Sequence, residues 1–197
     1  MTNAVIIVYL HGLNSSPQSV KARALGDAIG ALPDSKRPLY FVPQLAHRPD
    51  VAMREVRAWI EAHDPTSIAL VGSSLGGFYA THLAERYGVR AVLINPAVRP
   101  YENLVPYLGR QRNLYTGEEY ELTRKHFAEL QALKVDRIMR PDRYFLLVQT
   151  GDEILDWREA VTFYGSAWQS VQSGGDHAFR NFEEQIPAIL RFALRGF

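Results

Sequence analysis

The chain has 197 residues, a formal net charge of +1 and no cysteine. This length suits one α/β domain with a sizeable core. The near-balanced charge, without a long lysine or arginine run, argues against nucleic acid as the main partner. The lack of cysteine excludes disulfides, thiolate zinc sites and a cysteine nucleophile, and it suits a reducing compartment. We therefore predict one cytoplasmic domain, residues 1–197, with a small-molecule substrate.

The start of the chain gives no sign of export. Met1–Asn3 supplies no basic segment before the apolar run that follows, and no small-residue cleavage site comes after that run. Nowhere does an uninterrupted apolar stretch reach the ~20 residues that a membrane-spanning helix needs. We therefore expect neither a signal peptide nor a membrane partner.

Short apolar runs alternate with longer segments of helical period. This alternation is typical of a parallel sheet with helices on both faces. The runs predict six strands, at Val5–Leu10, Leu39–Val42, Ile68–Val71, Ala91–Ile94, Tyr144–Gln149 and Trp168–Val171.

The segments between these runs show caps and apolar spacing that are typical of helices. Ser15 or Ser16 before Pro17 predicts the first helix start, and its apolar face comprises Val20, Ala24, Ala28 and Ile29. Asp50 is the expected cap of the second helix, whose apolar face comprises Ala52, Val56, Trp59 and Ile60. A third helix is predicted from about Leu75 to Gly88. The last carries Phe179, Phe182, Ile186, Ile189 and Leu190, with an irregularity expected at Pro187.

One segment, Ala97–Pro141, is far longer than the usual connection between a strand and its neighbour. It is rich in tyrosine and arginine, and Glu121–Leu133 within it has a helical pattern. We interpret residues 97–141 as a cap inserted into the domain.

The strongest chemical signal is Gly72-Ser73-Ser74-Leu75-Gly76, which follows an apolar strand directly and precedes a helix. G-x-S-x-G in this context is typical of a nucleophile elbow, where a serine on a sharp turn needs small neighbours. The alternative is a Gly/Ser turn that only packs helix on strand. Ser74 is the predicted nucleophile, and the glycine spacing disfavours Ser73.

A second turn, Leu10-His11-Gly12-Leu13-Asn14, ends the first strand, where this kind of fold places an oxyanion donor. We predict an oxyanion hole formed by the amides of Leu13 and Leu75, the latter at the helix N-terminus. His11 invites a catalytic role, but a structural role is favoured for a histidine at a strand end.

The predicted base is His177, in the glycine-rich loop Gly174–Phe179 before the final helix. The chain order nucleophile, acid, histidine supports this choice. The other histidines fit less well: His47 lies in a proline-rich loop, and His63, His82 and His126 fall on predicted helices.

The acid is expected between these two, after the strand Tyr144–Gln149. Asp152 lies nearest the strand end, where a buried carboxylate can orient the imidazole. Asp156 is better explained as a helix cap, and Asp176 would need an unusual local geometry beside His177. A metal site built from His177, Asp176 and Asp152 is disfavoured because no H-E-x-x-H or comparable spacing is present.

Six ordered stretches resemble the UPF0227 family of small bacterial esterases: YLHGLNSSPQS, VGSSLGGFYA, INPAVRPYENL, YTGEEYEL, QTGDEILD and GGDHAF. The resemblance covers nearly the whole chain. It implies a compact α/β-hydrolase fold acting on acyl esters or acyl-CoA thioesters, with Ser74 as nucleophile, Asp152 as acid and His177 as base. Asp176 departs from the family pattern, which has asparagine there, and it adds a charge near the base.

The sequence therefore predicts a serine hydrolase, a carboxylesterase or acyl-CoA thioesterase, that needs no metal or organic cofactor. Two alternatives stay open. A binding or regulatory protein can keep this fold without turnover, and an acyltransferase or perhydrolase can use the same triad.

Overall fold

A computed structural model describes residues 5–195, so Met1–Asn3, on which the expectation of no signal peptide rests, lies outside it. Within that range the chain forms eight strands and seven α-helices. In chain order they are β1 (Ile6–Leu10), α1 (Val20–Gly30), β2 (Leu39–Phe41), α2 (Pro49–Glu61), β3 (Ile68–Ser73), α3 (Leu75–Tyr87), β4 (Arg90–Ile94), α4 (Pro100–Asn103), β5 (Gly109–Arg112), β6 (Glu119–Leu122), α5 (Arg124–Ala132), β7 (Tyr144–Gln149), α6 (Trp157–Phe163), β8 (Trp168–Gln172) and α7 (Ile186–Ala193).

The main sheet contains six parallel strands in the order β2-β1-β3-β4-β7-β8. All six predicted strands are present, and each boundary lies within two residues of the prediction. The central strand β3 is buried along its whole length, as expected of a strand covered on both faces. The predicted α/β architecture is therefore confirmed.

Two hydrophobic cores lie on opposite faces of this sheet. Along β3, Ile68 and Leu70 belong to the core that also contains side chains from α2, α3 and α6. The alternate residues Ala69 and Val71 belong to the core formed with α1 and α7. Because strand side chains alternate between faces, one continuous apolar run serves both cores.

The first two helices begin differently from the prediction. The Ser16 carbonyl accepts the Ser19 amide at 3.0 Å, so the chain makes a turn there and α1 begins only at Val20. Val20 consequently lies at the exposed end of the helix and is 70% exposed. In α2, Pro49 occupies the first position and Asp50 lies inside the first turn, so Asp50 is not the cap. A carboxylate in the first turn still interacts favourably with the helix dipole.

The last helix also starts later than its apolar pattern indicates. A short 3₁₀ turn, Phe182–Gln185, precedes α7, and Phe179 lies outside both with a φ of 67°. Pro187 falls in the first turn of α7, where a missing amide proton breaks no helical hydrogen bond. The proline therefore marks the helix start, and the irregularity predicted inside the helix is wrong.

The 97–141 insertion contains α4, the antiparallel hairpin β5–β6 and α5. The helix predicted over Glu121–Leu133 begins only at Arg124, because Glu119–Leu122 pairs with Gly109–Arg112. An Arg48–Glu129 ion pair joins α5 to the start of α2. This ion pair thus links residues 97–141 to α2, which packs against the main sheet.

Candidate active site

Ser74 lies at the sharp turn between β3 and α3, with φ 55° and ψ −121°. This backbone conformation is strained for any residue other than glycine. Its amide donates to the carbonyl of Ile94 at 3.0 Å, and its carbonyl accepts the amides of Gly77 and Ala97. The turn is therefore held on both sides, and the serine hydroxyl stands at the carboxyl edge of the sheet.

Close packing around this turn requires Gly76. A Cβ on Gly76 would overlap the carbonyl oxygen of Leu10, which belongs to the backbone of β1 and cannot move aside cheaply. We predict that Gly76→Val lowers both soluble yield and activity, because α3 must shift away from β1. The measurement is thermal unfolding together with esterase rate; wild-type values for both would contradict the prediction. Gly30→Val is the matched control, since a Cβ on Gly30 meets nothing within 4 Å.

The structure brings Ser74, His177 and Asp152 together in one hydrogen-bonded chain. His177 Nε2 lies 3.0 Å from Ser74 Oγ. His177 Nδ1 lies 3.0 and 2.9 Å from the two carboxylate oxygens of Asp152. The sheet creates this arrangement, because β3, β7 and β8 end at the same edge and their following loops supply the three residues.

Asp152 is almost fully enclosed, with its side chain 2% exposed. Burial alone would raise the pKa of this carboxyl, but the hydrogen bond from His177 and those from the amides of Leu155 and Ile154 outweigh it, so the pKa lies below its usual value. Both amides lie 2.9 Å from Oδ1. Asp152 is therefore ionised at neutral pH and fixes Nδ1 of His177 as the protonated nitrogen.

The competing residues have other partners. Asp156 caps α6 by accepting the Arg158 amide at 3.0 Å. Asp176 accepts a hydrogen bond from Arg180 at 2.7 Å. Ser73 is 5% exposed and its side chain hydrogen-bonds Tyr9. In each case the hydrogen bonds of the side chain go to residues other than His177.

The remaining histidines make structural contacts. His11 is 3% exposed; its Nε2 accepts the Leu45 amide at 3.1 Å, and burial lowers its pKa. It therefore joins two loops as a neutral ring. The others bind carbonyl oxygens or one another: His63 contacts Trp59 O, His82 contacts Leu133 O, and His47 contacts His126.

The two candidate oxyanion donors flank the nucleophile. Leu75 is the first residue of α3. The turn after β1 packs directly on the serine, since a Cβ on Gly12 would lie 3.2 Å from Ser74 Cβ. Leu13 and Leu75 also line one small pocket of about 20 Å³, together with Tyr79, His47 and Tyr120. That volume holds roughly one water molecule.

Two buried amides that sequence reasoning missed support the histidine loop. Asn95 Nδ2 donates to the carbonyls of Asp176 and His177 at 3.0 and 3.2 Å, and its Oδ1 accepts the Gln149 amide. Gln149 Oε1 accepts the amides of Asp176 and Arg180 at 3.1 and 2.9 Å. The available signal was a polar residue at the end of an otherwise apolar strand, which must find partners when buried.

Two further side chains hold the same loop. Lys21, from α1, donates to the carbonyl of Ala178 at 2.8 Å. Glu153 accepts the amide of His177 at 3.0 Å. Together with the buried amides, these contacts fix the backbone on both sides of the imidazole.

Residues 5–195 contain no group of three or more histidine, aspartate or glutamate side chains arranged to hold a metal ion. Within the same range, every helix is too short or too polar to cross a membrane.

Comparison with solved structures defines the class of fold. The chain is similar to mouse α/β hydrolase domain-containing protein 10 (17% identity, TM-score 0.70, 96% of this chain and 88% of that one). It is also similar to the esterase domain of a Rhodothermus marinus protein (16% identity, TM-score 0.71, 99% and 89%). The architecture is thus an α/β-hydrolase fold.

The sequence model of the family described as "Uncharacterised protein family (UPF0227)" matches residues 6–194. The chain belongs to the UPF0227 family, as its motifs predict. A UPF0227 protein of Pectobacterium atrosepticum is 25% identical over 197 residues, covering 97% of this chain and all of that protein.

Proposed function

We propose that this protein is a serine hydrolase that cleaves acyl esters or thioesters through an acyl-enzyme on Ser74. The observation that carries the proposal is the hydrogen-bonded chain from Ser74 through His177 to the buried, ionised Asp152. The likeness to an esterase domain of the same fold supports it. The chain contains no cysteine, which suits a reducing compartment, so the proposed reaction is assigned to the cytoplasm.

In the acylation step, Nε2 of His177 takes the hydroxyl proton of Ser74 while Oγ attacks the acyl carbon. The resulting oxyanion is stabilised by the amides of Leu13 and Leu75. Asp152 stabilises the imidazolium that forms without taking its proton. His177 then protonates the departing alcohol or thiol as the tetrahedral intermediate collapses.

In the deacylation step, a water molecule replaces the serine hydroxyl as the nucleophile, and Ser74 becomes the leaving group. His177 removes a proton from a water molecule that attacks the acyl carbon, and Ser74 leaves as the protonated hydroxyl. The residues in the chain supply the nucleophile, the base and the oxyanion donors, so the proposed reaction needs no cofactor.

The experiment is labelling with a fluorophosphonate, followed by mass mapping of the adduct. We expect one adduct, on Ser74, and turnover of esters in water. An adduct on Ser73, or no adduct on a folded protein, would contradict the proposal. Turnover only with an added alcohol or peroxide acceptor would indicate an acyltransferase or perhydrolase, and a folded protein inert toward a metabolite-ester panel would indicate a binding protein.

Asn113, Glu118 and Tyr120 of residues 97–141 line the small pocket beside Leu13 and Leu75, and we propose that this segment forms one wall of the substrate site. Two arginines of this segment, Arg110 and Arg112, are candidate contacts for an anionic leaving group such as CoA. Both are exposed, and they face Glu121 and Glu119 across the hairpin. Opposite charges that face each other across an exposed hairpin attract only weakly, but together they leave this surface without a net charge.

We therefore predict that charge reversal at both arginines leaves the ratio of kcat/KM on acyl-CoA to that on a neutral ester within about twofold of wild type. Exchanging all four charges, with arginine at 119 and 121, is the matched control because it restores cross-strand pairing. A selective loss on acyl-CoA in both variants would establish a leaving-group contact at this surface.

A further inference from the structure

The hairpin β5–β6 of the cap is hydrogen-bonded to the loop that carries Leu13. Tyr120 donates its hydroxyl proton to Oδ1 of Asn14 at 2.7 Å, and Asn14 Nδ2 donates to Oε1 of Gln111 at 3.0 Å. Asn113 Nδ2 donates to the carbonyl of Ser15 at 2.9 Å. Three side chains of the hairpin thus hold the two residues that follow the candidate oxyanion donor.

Asn14 has a left-handed backbone, with φ 53°. Asparagine tolerates this region better than most residues, but the conformation persists only where surroundings hold it. Here both polar atoms of its side chain are bonded to the hairpin. Because Asn14 follows Leu13 directly, a change in its dihedrals displaces the peptide unit between the two residues, and the backbone of Leu13 must then adjust, which moves the Leu13 amide.

Tyr120 is itself held in place from the main body. Its ring stacks on His47, with centroids 4.4 Å apart, and His47 Nδ1 lies 3.1 Å from His126 Nε2. His126 Nδ1 accepts the Thr123 amide at 3.1 Å, so a neutral His126 carries its proton on Nε2 and donates it to His47. The stacked ring therefore holds the hydroxyl of Tyr120 in position to donate to Asn14.

We propose that the hairpin β5–β6 holds the oxyanion loop in its catalytic conformation, with Tyr120, Gln111 and Asn113 as positioning residues that act through Asn14 and Ser15 on the Leu13 amide. This inference rests on the proposed function, because it assigns Leu13 to the oxyanion hole. It gives the cap a part in transition-state stabilisation in addition to its place in the pocket wall.

Two variants test the inference. Tyr120→Phe removes one hydrogen bond and keeps the stacked ring. Asn14→Gly removes both side-chain bonds while glycine still adopts the left-handed backbone. Each should lower kcat on p-nitrophenyl butyrate about tenfold with little change in KM, less than the ~10²–10³ lost with a whole oxyanion donor. Tyr120 acts through Asn14, so the two substitutions are not additive. The kcat of the double variant should therefore be no lower than that of the less active single variant.

A second measurement separates positioning from general damage. A trifluoromethyl ketone forms a tetrahedral adduct on serine, so its affinity should fall by the same factor as kcat/KM. Tyr107→Phe, a partly exposed tyrosine on the same cap, is the control and should match wild type in both readings. Melting temperatures confirm that each variant is folded.

Wild-type kcat and ketone affinity in Tyr120→Phe and Asn14→Gly would overturn the inference and leave the proposed function standing. A change in KM alone would also overturn it, because the hairpin would then only line the pocket. A wild-type protein that neither labels with fluorophosphonate nor turns over esters would overturn the proposed function, and this inference with it.

Discussion

Replacement of Ser74 by alanine is expected to abolish ester hydrolysis while the protein stays folded. Alanine removes only the hydroxyl that His177 Nε2 contacts at 3.0 Å. In a serine protease of unrelated fold that uses the same type of triad, loss of the nucleophilic serine lowers kcat about 10⁶-fold. The measurement is the rate on p-nitrophenyl butyrate, together with fluorophosphonate labelling. If Ser74→Ala hydrolysed the ester at the wild-type rate, Ser74 would not be the nucleophile.

A glycine variant at the same position tests the strain at the elbow. Alanine keeps the unfavourable backbone conformation, with φ 55° and ψ −121°, whereas glycine adopts it freely. Relief of ~1–3 kcal/mol of strain exceeds the ~0.4–1 kcal/mol that glycine costs through the unfolded chain. Ser74→Gly should therefore be inactive yet melt higher than Ser74→Ala. An equal or lower melting temperature would show that the turn stores no such strain.

Asp152→Asn is expected to give a folded protein with little activity. Its Oδ1 accepts the amides of Ile154 and Leu155, so the new amide oxygen should stay there and the NH₂ group should face His177. Nδ1 then becomes an acceptor, and Nε2 carries the proton and cannot take one from Ser74. The same change in a serine protease lowers kcat by ~10⁴. We expect a similar loss with KM nearly unchanged.

Asp156→Asn is the matched control, because Asp156 lies four residues on and caps α6. Asparagine caps helices almost as well as aspartate, and the lost charge at the helix N-terminus costs only ~0.3–1 kcal/mol. The variant should be active and slightly less stable. If Asp156→Asn were inactive at an unchanged melting temperature and Asp152→Asn active, the acid would have to be reassigned to Asp156.

Much of the fold could be predicted because the four central strands β1, β3, β4 and β7 are buried and therefore appear in the sequence as apolar runs. The edge strands β2 and β8 are more exposed, and their signals in the sequence are weaker. Gly88 ends α3 in the left-handed conformation that glycine favours. Glu121 and Leu122 lie at the start of the predicted helix Glu121–Leu133 because their local pattern suits either state, and pairing of Glu119–Leu122 with Gly109–Arg112 selected the strand. Similarly, Asp50 and Ser16 are good caps by residue type, but the observed helices begin elsewhere.

For the candidate site, local sequence determines the elbow at Ser74, because G-x-S-x-G specifies a tight turn within five residues. The glycine-rich loop and chain order then identify His177. Only the tertiary structure decided that Asp152 faces the imidazole, that Asn95 and Gln149 hold its loop, and that Tyr120 contacts Asn14. Backbone preferences and burial periodicity act over a few residues. Hydrogen bonds between residues as far apart as 157 positions, such as Lys21 and Ala178, form only after the sheet has brought its strand ends to one edge.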